Sequence, residues 1–145
     1  MVSALTTEEI QYEFARRRLA TFIPAVTPRY LPPHHLKPLT DRLELAAKGI
    51  PQFVVCHAPP RHAKTETLVH FPAYALRRNP RLTVGYATYG QSLTRSSSKK
   101  IRRVAESAGI RLASATIGEW RNSDGGGVLA TTVGGPLTGY GINVM

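Results

Sequence analysis

Phe53-Val54-Val55-Cys56-His57-Ala58-Pro59-Pro60-Arg61-His62-Ala63-Lys64-Thr65-Glu66 is the stretch that sets the expected fold. Its first four residues form a short apolar run with turn chemistry behind it, which reads as a buried parallel strand. Residues 57–63 read as a loop. A helix is expected from Lys64 through Leu68, Phe71, Ala75 and Leu76, with Pro72 inside it expected to kink it.

On the C-terminal side, Leu82 to Ala87 reads as the next strand, and a helix is expected from Gln91 to Ala108, stopped by Gly109. Leu112 to Ile117 and Val128 to Val133 are further strand candidates, with Asn122 to Gly127 as a loop between them. Pro136 to Gly141 reads as a turn, and Ile142-Asn143-Val144-Met145 begins another strand. On the N-terminal side, Thr6 and Glu9 have capping-box spacing, so a first helix is expected from there to Arg18, with Ile10, Phe14 and Leu19 on one face and Pro24 and Pro28 bounding it. Arg16-Arg17-Arg18 suits the negative end of that helix dipole. Pro24 to Pro38 holds five prolines and reads as a rigid connector. A second helix follows to about Lys48, burying Leu36, Leu39, Leu43 and Ala46 or Ala47, with Gly49 as its cap. The order is that of an α/β protein.

The loop has the frame of the phosphate-binding pattern G-x-x-x-x-G-K-[ST], set between a strand and a helix. Loop N–H groups and a helix N-terminus surround phosphate, a lysine adds a point charge at the β- and γ-phosphates, and a hydroxyl ligates Mg²⁺. Lys64 and Thr65 match that pattern in type and spacing, while Ala58 and Ala63 replace both glycines. An alanine beside phosphate is expected to need a negative φ. The alternative is an ordinary loop whose Lys64 and Thr65 face solvent.

The chain has 145 residues, enough for one core, and 42% of them are apolar, too many for a disordered chain. No apolar run approaches a membrane span, and Met1 to Arg18 carries charge where a secretory signal would be apolar. One cysteine, Cys56, excludes an internal disulfide and any Cys-rich zinc site, and an intracellular setting is expected. Nineteen Lys and Arg against nine Asp and Glu give a net charge of +10, which suits a polyanionic partner.

Several separate pieces, in order, resemble the large subunit of phage terminases, the motor that packages DNA. Pro59-Pro60-Arg61-His62-Ala63-Lys64-Thr65-Glu66 is similar to that family's Walker A motif; Phe71-Pro72-Ala73-Tyr74, Arg78-Asn79-Pro80 and Thr88-Tyr89 follow as its later landmarks do. Gly134-Gly135-Pro136-Leu137-Thr138-Gly139-Tyr140-Gly141 looks like the turn before its Walker B strand. The resemblance runs from about Phe22 to Met145. It implies a P-loop NTPase-like three-layer α/β sandwich with a mostly parallel central sheet, incomplete at the C-terminus. Residues 1–50 would be a helical segment packing on the core, and 51–145 a partial ATPase core.

It further implies ATP and Mg²⁺ as cofactors. Pro59, Pro60, Arg61, His62, Ala63, Lys64, Thr65 and Glu66 would form the nucleotide loop, with Lys64 on the β- and γ-phosphates, Thr65 on Mg²⁺ and Arg61 near the γ-phosphate. The segment from Tyr30 to His35 falls where the family places its adenine region. Double-stranded DNA, a portal protein, a small terminase subunit and a ring of its own copies would be the partners, in the cytoplasm of a host cell and with no membrane. The chain stops before the acidic Walker B residues and the nuclease domain, so little hydrolysis is expected. Thr138 and Tyr140 stand in the turn where many terminases carry a trans-acting arginine. Two alternatives are a non-catalytic prophage remnant that binds DNA through a basic domain, and another P-loop class such as a helicase.

On the helix expected at 91–108, Arg95, Lys99 and Arg102 share one face, with Lys100 and Arg103 nearby. The stripe reads first as a solvated face, with phosphate tracking along DNA as the alternative. His34, His35, His57, His62 and His70 match no metal-ligand spacing, although His57 and His62 flank the loop and could bond phosphate. Trp120 reads as core or partly buried sheet, and Gly125-Gly126-Gly127 as a hairpin loop. Asp124 has no partner carboxylate at useful spacing.

Overall fold

A computed structural model describes residues 6, 7, 13, 15, 17–31, 33–137 and 139–145. Most of the helix expected before Arg18, including Glu9, Ile10, Phe14 and Arg16, lies outside them, as does Thr138 of the glycine-rich turn. The chain divides into two compact units, Met1–Thr67 and Leu68–Met145. Among the described residues the fold is mixed α/β, with four α-helices and a four-stranded sheet.

In the first unit, helix α1 (Leu19–Val26) begins after Arg18, whose extended backbone ends the preceding segment. Leu19 therefore opens a new helix rather than closing the earlier one. Pro24 sits inside α1, not at its boundary; in so short a helix its missing N–H costs a single intrahelical bond. Leu19, Phe22 and Ile23 are buried, each contributing about 1.5–3 kcal/mol. A 3₁₀ turn (His34–Leu36) leads into α2 (Lys37–Ala47), which has Pro38 in its first turn, where no N–H is needed. Gly49, at φ 81°, closes α2: its N–H donates to the Ala46 carbonyl and that of Ile50 to Leu45. These two bonds are a Schellman motif.

Residues 51–57 form no strand, which corrects the reading of Phe53–Cys56 as a buried parallel one. Phe53 is 94% exposed and Val55 65%. Four apolar residues cannot form a strand without a ladder partner, and none of the described strands pairs with them. After the loop, α3 (Lys64–Arg78) carries the chain into the second unit.

There β1 (Thr83–Thr88), α4 (Gln91–Ser107), β2 (Leu112–Ala115), β3 (Glu119–Asn122) and β4 (Gly127–Thr132) follow. The sheet order is β1-β4-β3-β2. Only β1 and β4 are parallel; β4–β3 and β3–β2 are antiparallel. The expected mostly parallel sheet is thus corrected. β3 was not foreseen: it follows β2 after three residues and precedes β4 after four, and links that short join only antiparallel strands. Between Asn122 and Gly127, Gly126 has a steric reason, since a Cβ there would strike the carbonyls of Pro80 and Leu82. Trp120 is fully buried on β3. Helix α4 packs on β1 and β4 and ends at Gly109 with the same pair of bonds that closes α2. Ile142 to Met145 touch the free edge of β1 by one parallel bridge, Val84 to Val144.

Candidate phosphate-binding loop

Lys64 is the residue around which the loop closes. Its ammonium donates to the carbonyl of Ala58 and, at 3.3 Å, to that of Pro59. The chain must therefore turn back on itself between Ala58 and Lys64. Two non-glycine residues in left-handed backbone make the turn, Arg61 at φ 61° and Ala63 at φ 60°. This corrects the expectation that Ala63 needs a negative φ: the alanine adopts the conformation for which the motif ordinarily uses glycine. The left-handed region costs an L-residue about 1–2 kcal/mol, so the loop stores strain next to the lysine.

Helix α3 starts at Lys64, so the N–H groups of Lys64, Thr65 and Glu66 have no intrahelical acceptor. They are the donors with which a helix start holds an anion. The Thr67 N–H and hydroxyl both donate to the Ala63 carbonyl, at 3.0 and 3.1 Å, which fixes the first turn. Thr65 is exposed, and Arg61, His62, Pro59 and Pro60 also face solvent. A hollow of about 420 Å³ beside Lys64 is walled by Cys56, His57, Ala58 and Pro59.

The connector stands against the same turn. Tyr30 lies beside Glu66 and Thr67; burial pushes its phenol above the ordinary 10.0, a hydrogen bond with Thr67 draws it down, and the Glu66 carboxylate pushes it up again. The His35 ring meets the His62 ring edge to face at 5.4 Å. His62 Nδ1 lies 2.8 Å from the Pro60 carbonyl. A carbonyl only accepts, so Nδ1 carries the hydrogen and Nε2 remains open. Both rings line a cleft of about 700 Å³, which also includes Leu36, Leu39, Arg42, Val54 and Val55 and shares Cys56 to Pro59 with the hollow. Sequence spacing carries no sign of the His35–His62 meeting, because the whole of α2 and the irregular stretch from 48 to 61 separate the two.

For Mg²⁺, the Thr65 hydroxyl is a suitable single ligand, but no group of three or more His, Cys, Asp or Glu able to hold a metal occurs among the described residues. Mg²⁺ there would be held chiefly by phosphate oxygens and water, the usual manner for this ion. His70 is buried in α3, whereas His34, His35, His57 and His62 are exposed.

The second unit holds the basic stripe. Arg95, Lys99, Lys100 and Arg103 are exposed on α4 and Arg102 is half-buried. Among the described residues none of these five forms an ion pair with a carboxylate. The second unit carries ten Lys and Arg against three Asp and Glu, +7 of the chain's +10. No helix among the described residues is long and apolar enough to cross a membrane. Scans against protein families, curated proteins and solved structures return no match for this chain.

Proposed function

We propose that residues 58–66 bind the polyphosphate of ATP, and that the chain is the ATP-binding portion of a terminase-like motor that moves double-stranded DNA into a capsid. The single observation that supports this most is the fold-back of Lys64 onto the Ala58 and Pro59 carbonyls. A lysine so placed stands over the loop and can exchange two neutral carbonyls for charged phosphate oxygens, which bind an ammonium more strongly. Thr65 would hold Mg²⁺ against the phosphates, and Arg61 would reach the γ-phosphate. A portal protein, a small terminase subunit and further copies of the chain are the partners this reading brings with it. Titration calorimetry with Mg-ATP tests the proposal: Lys64→Ala should weaken binding at least about tenfold, the loss of one charge-assisted bond of about 1.5–3 kcal/mol. Equal affinity in the two proteins refutes it.

The unpaired cations of α4 favour a second reading, a basic domain that binds DNA without ATP. Its mark is binding that falls steeply with salt, ignores ATP and survives Lys64→Ala.

A further inference from the structure

We infer that anion binding at the loop is linked to proton uptake by the His35–His62 pair, so that polyphosphate is held more tightly as pH falls. This rests on the phosphate-loop reading and adds to it a regulating chemistry. The observations are three. The two imidazoles meet at 5.4 Å, one from the 3₁₀ turn and one from the loop. The cleft they line has only basic ionisable groups besides the Cys56 thiol: His35, Arg42, His57 and His62, with no carboxylate. That cleft shares Cys56, His57, Ala58 and Pro59 with the hollow beside Lys64, so an anion in the hollow lies against the same wall.

Arg42, Cys56 and His57 are the other ionisable groups that share the cleft with the pair. Arg42 comes from α2, where its guanidinium donates to Gln52 at 3.2 Å, and His57 comes from the loop. Arg61, Lys64 and Glu66 follow along the loop and the start of α3. Glu66, the one carboxylate of these, stands by Tyr30. A bound polyphosphate places negative charge beside the cleft wall, and an opposite charge close to an imidazole favours its protonated form. On His62 the proton enters from solvent at Nε2, since Nδ1–H is committed to the Pro60 carbonyl; no other bond changes. Imidazole is the side chain that ordinarily changes charge between pH 5 and 8.

The test is calorimetry with inorganic tripolyphosphate and with ATP, from pH 8 to pH 5.5, in pairs of buffers of differing ionisation enthalpy. Wild type is compared with His35→Asn/His62→Asn and with each single variant. Both rings are exposed, so the substitutions leave the core untouched. The ligand's own protonation is common to all proteins and cancels in the comparison. The affinity ratio of wild type to double variant should rise about threefold to tenfold across this range, as one linked proton allows, with more proton uptake by wild type than by the double variant. A ratio constant with pH overturns the inference while leaving the loop reading intact. Absence of binding by wild type at every pH, or binding unchanged by Lys64→Ala, overturns the loop reading and the inference with it.

Discussion

Glu44 Oε1 accepts the backbone N–H of Leu19 at 2.8 Å, from 25 residues further along the chain. Arg18, the residue before α1, offers no side-chain cap, so a carboxylate on α2 supplies one from a distance. The negative charge also suits the positive end of the α1 dipole, and Arg18 approaches the other Glu44 oxygen at 3.9 Å. Glu44→Ala should cost about 1.5–3 kcal/mol, the range for a buried bond to a charged group. Glu44→Gln, which keeps an acceptor, should cost less. Urea unfolding of both variants checks the order; equal losses would mean that packing, not the bond, carries the contact.

Ala63→Gly should stabilise the protein. At φ 60° the alanine methyl is strained, and glycine removes that strain while adding freedom to the unfolded chain. A net gain of about 0.5–1 kcal/mol is expected, read as a higher urea midpoint at unchanged slope. A loss of stability would place Ala63 in ordinary negative-φ backbone.

Phe53→Ala separates an exposed segment from a core strand. With the ring almost wholly in solvent, the substitution should change stability by less than about 0.5 kcal/mol. A core phenylalanine would cost about 3–5 kcal/mol, and a loss of that size in thermal unfolding would restore the buried-strand reading.

Tyr30 gives a pH dependence with a definite sign. Its folded pKa lies above the ordinary 10.0 because burial disfavours the phenolate. The fold then binds the proton more tightly than the unfolded chain does, so this contribution is complete below pH 10 and is lost as pH rises through the folded value. Between pH 9 and 11, wild type should lose stability faster than Tyr30→Phe in denaturant titrations. Parallel losses would remove Tyr30 as the source.

Local chemistry made much of this fold legible from residues alone. Gly49 and Gly109 stop α2 and α4 because left-handed backbone after a helix is a glycine property, written in one residue. Of the expected apolar face, Leu39 and Ala47 are buried on α2 and Leu36 in the 3₁₀ turn before it, while Leu43 is half-buried. Phe53–Cys56 misled because a short apolar run reports a wish for burial, whereas a strand needs a neighbour that the run itself does not encode. Glu119–Asn122 was missed for the opposite reason: Glu, Arg and Asn surround a single Trp120, and only its pairing with β2 and β4 makes it a strand. At the loop, residue types gave Lys64 and Thr65, but the fold-back of the lysine, the strain at Arg61 and Ala63, and the meeting of His35 with His62 are products of three-dimensional closure.

The mixed ladder of the sheet carries a kinetic consequence. β2, β3 and β4 are neighbours in sequence as well as in space, so they can zip through small loops on the microsecond scale of hairpins. β1 must wait, because its ladder partner β4 lies beyond α4 and the whole meander, and closing so long a detour is entropically slow. Assembly of this half of the chain thus has a built-in order, with the meander as the template on which β1 later docks.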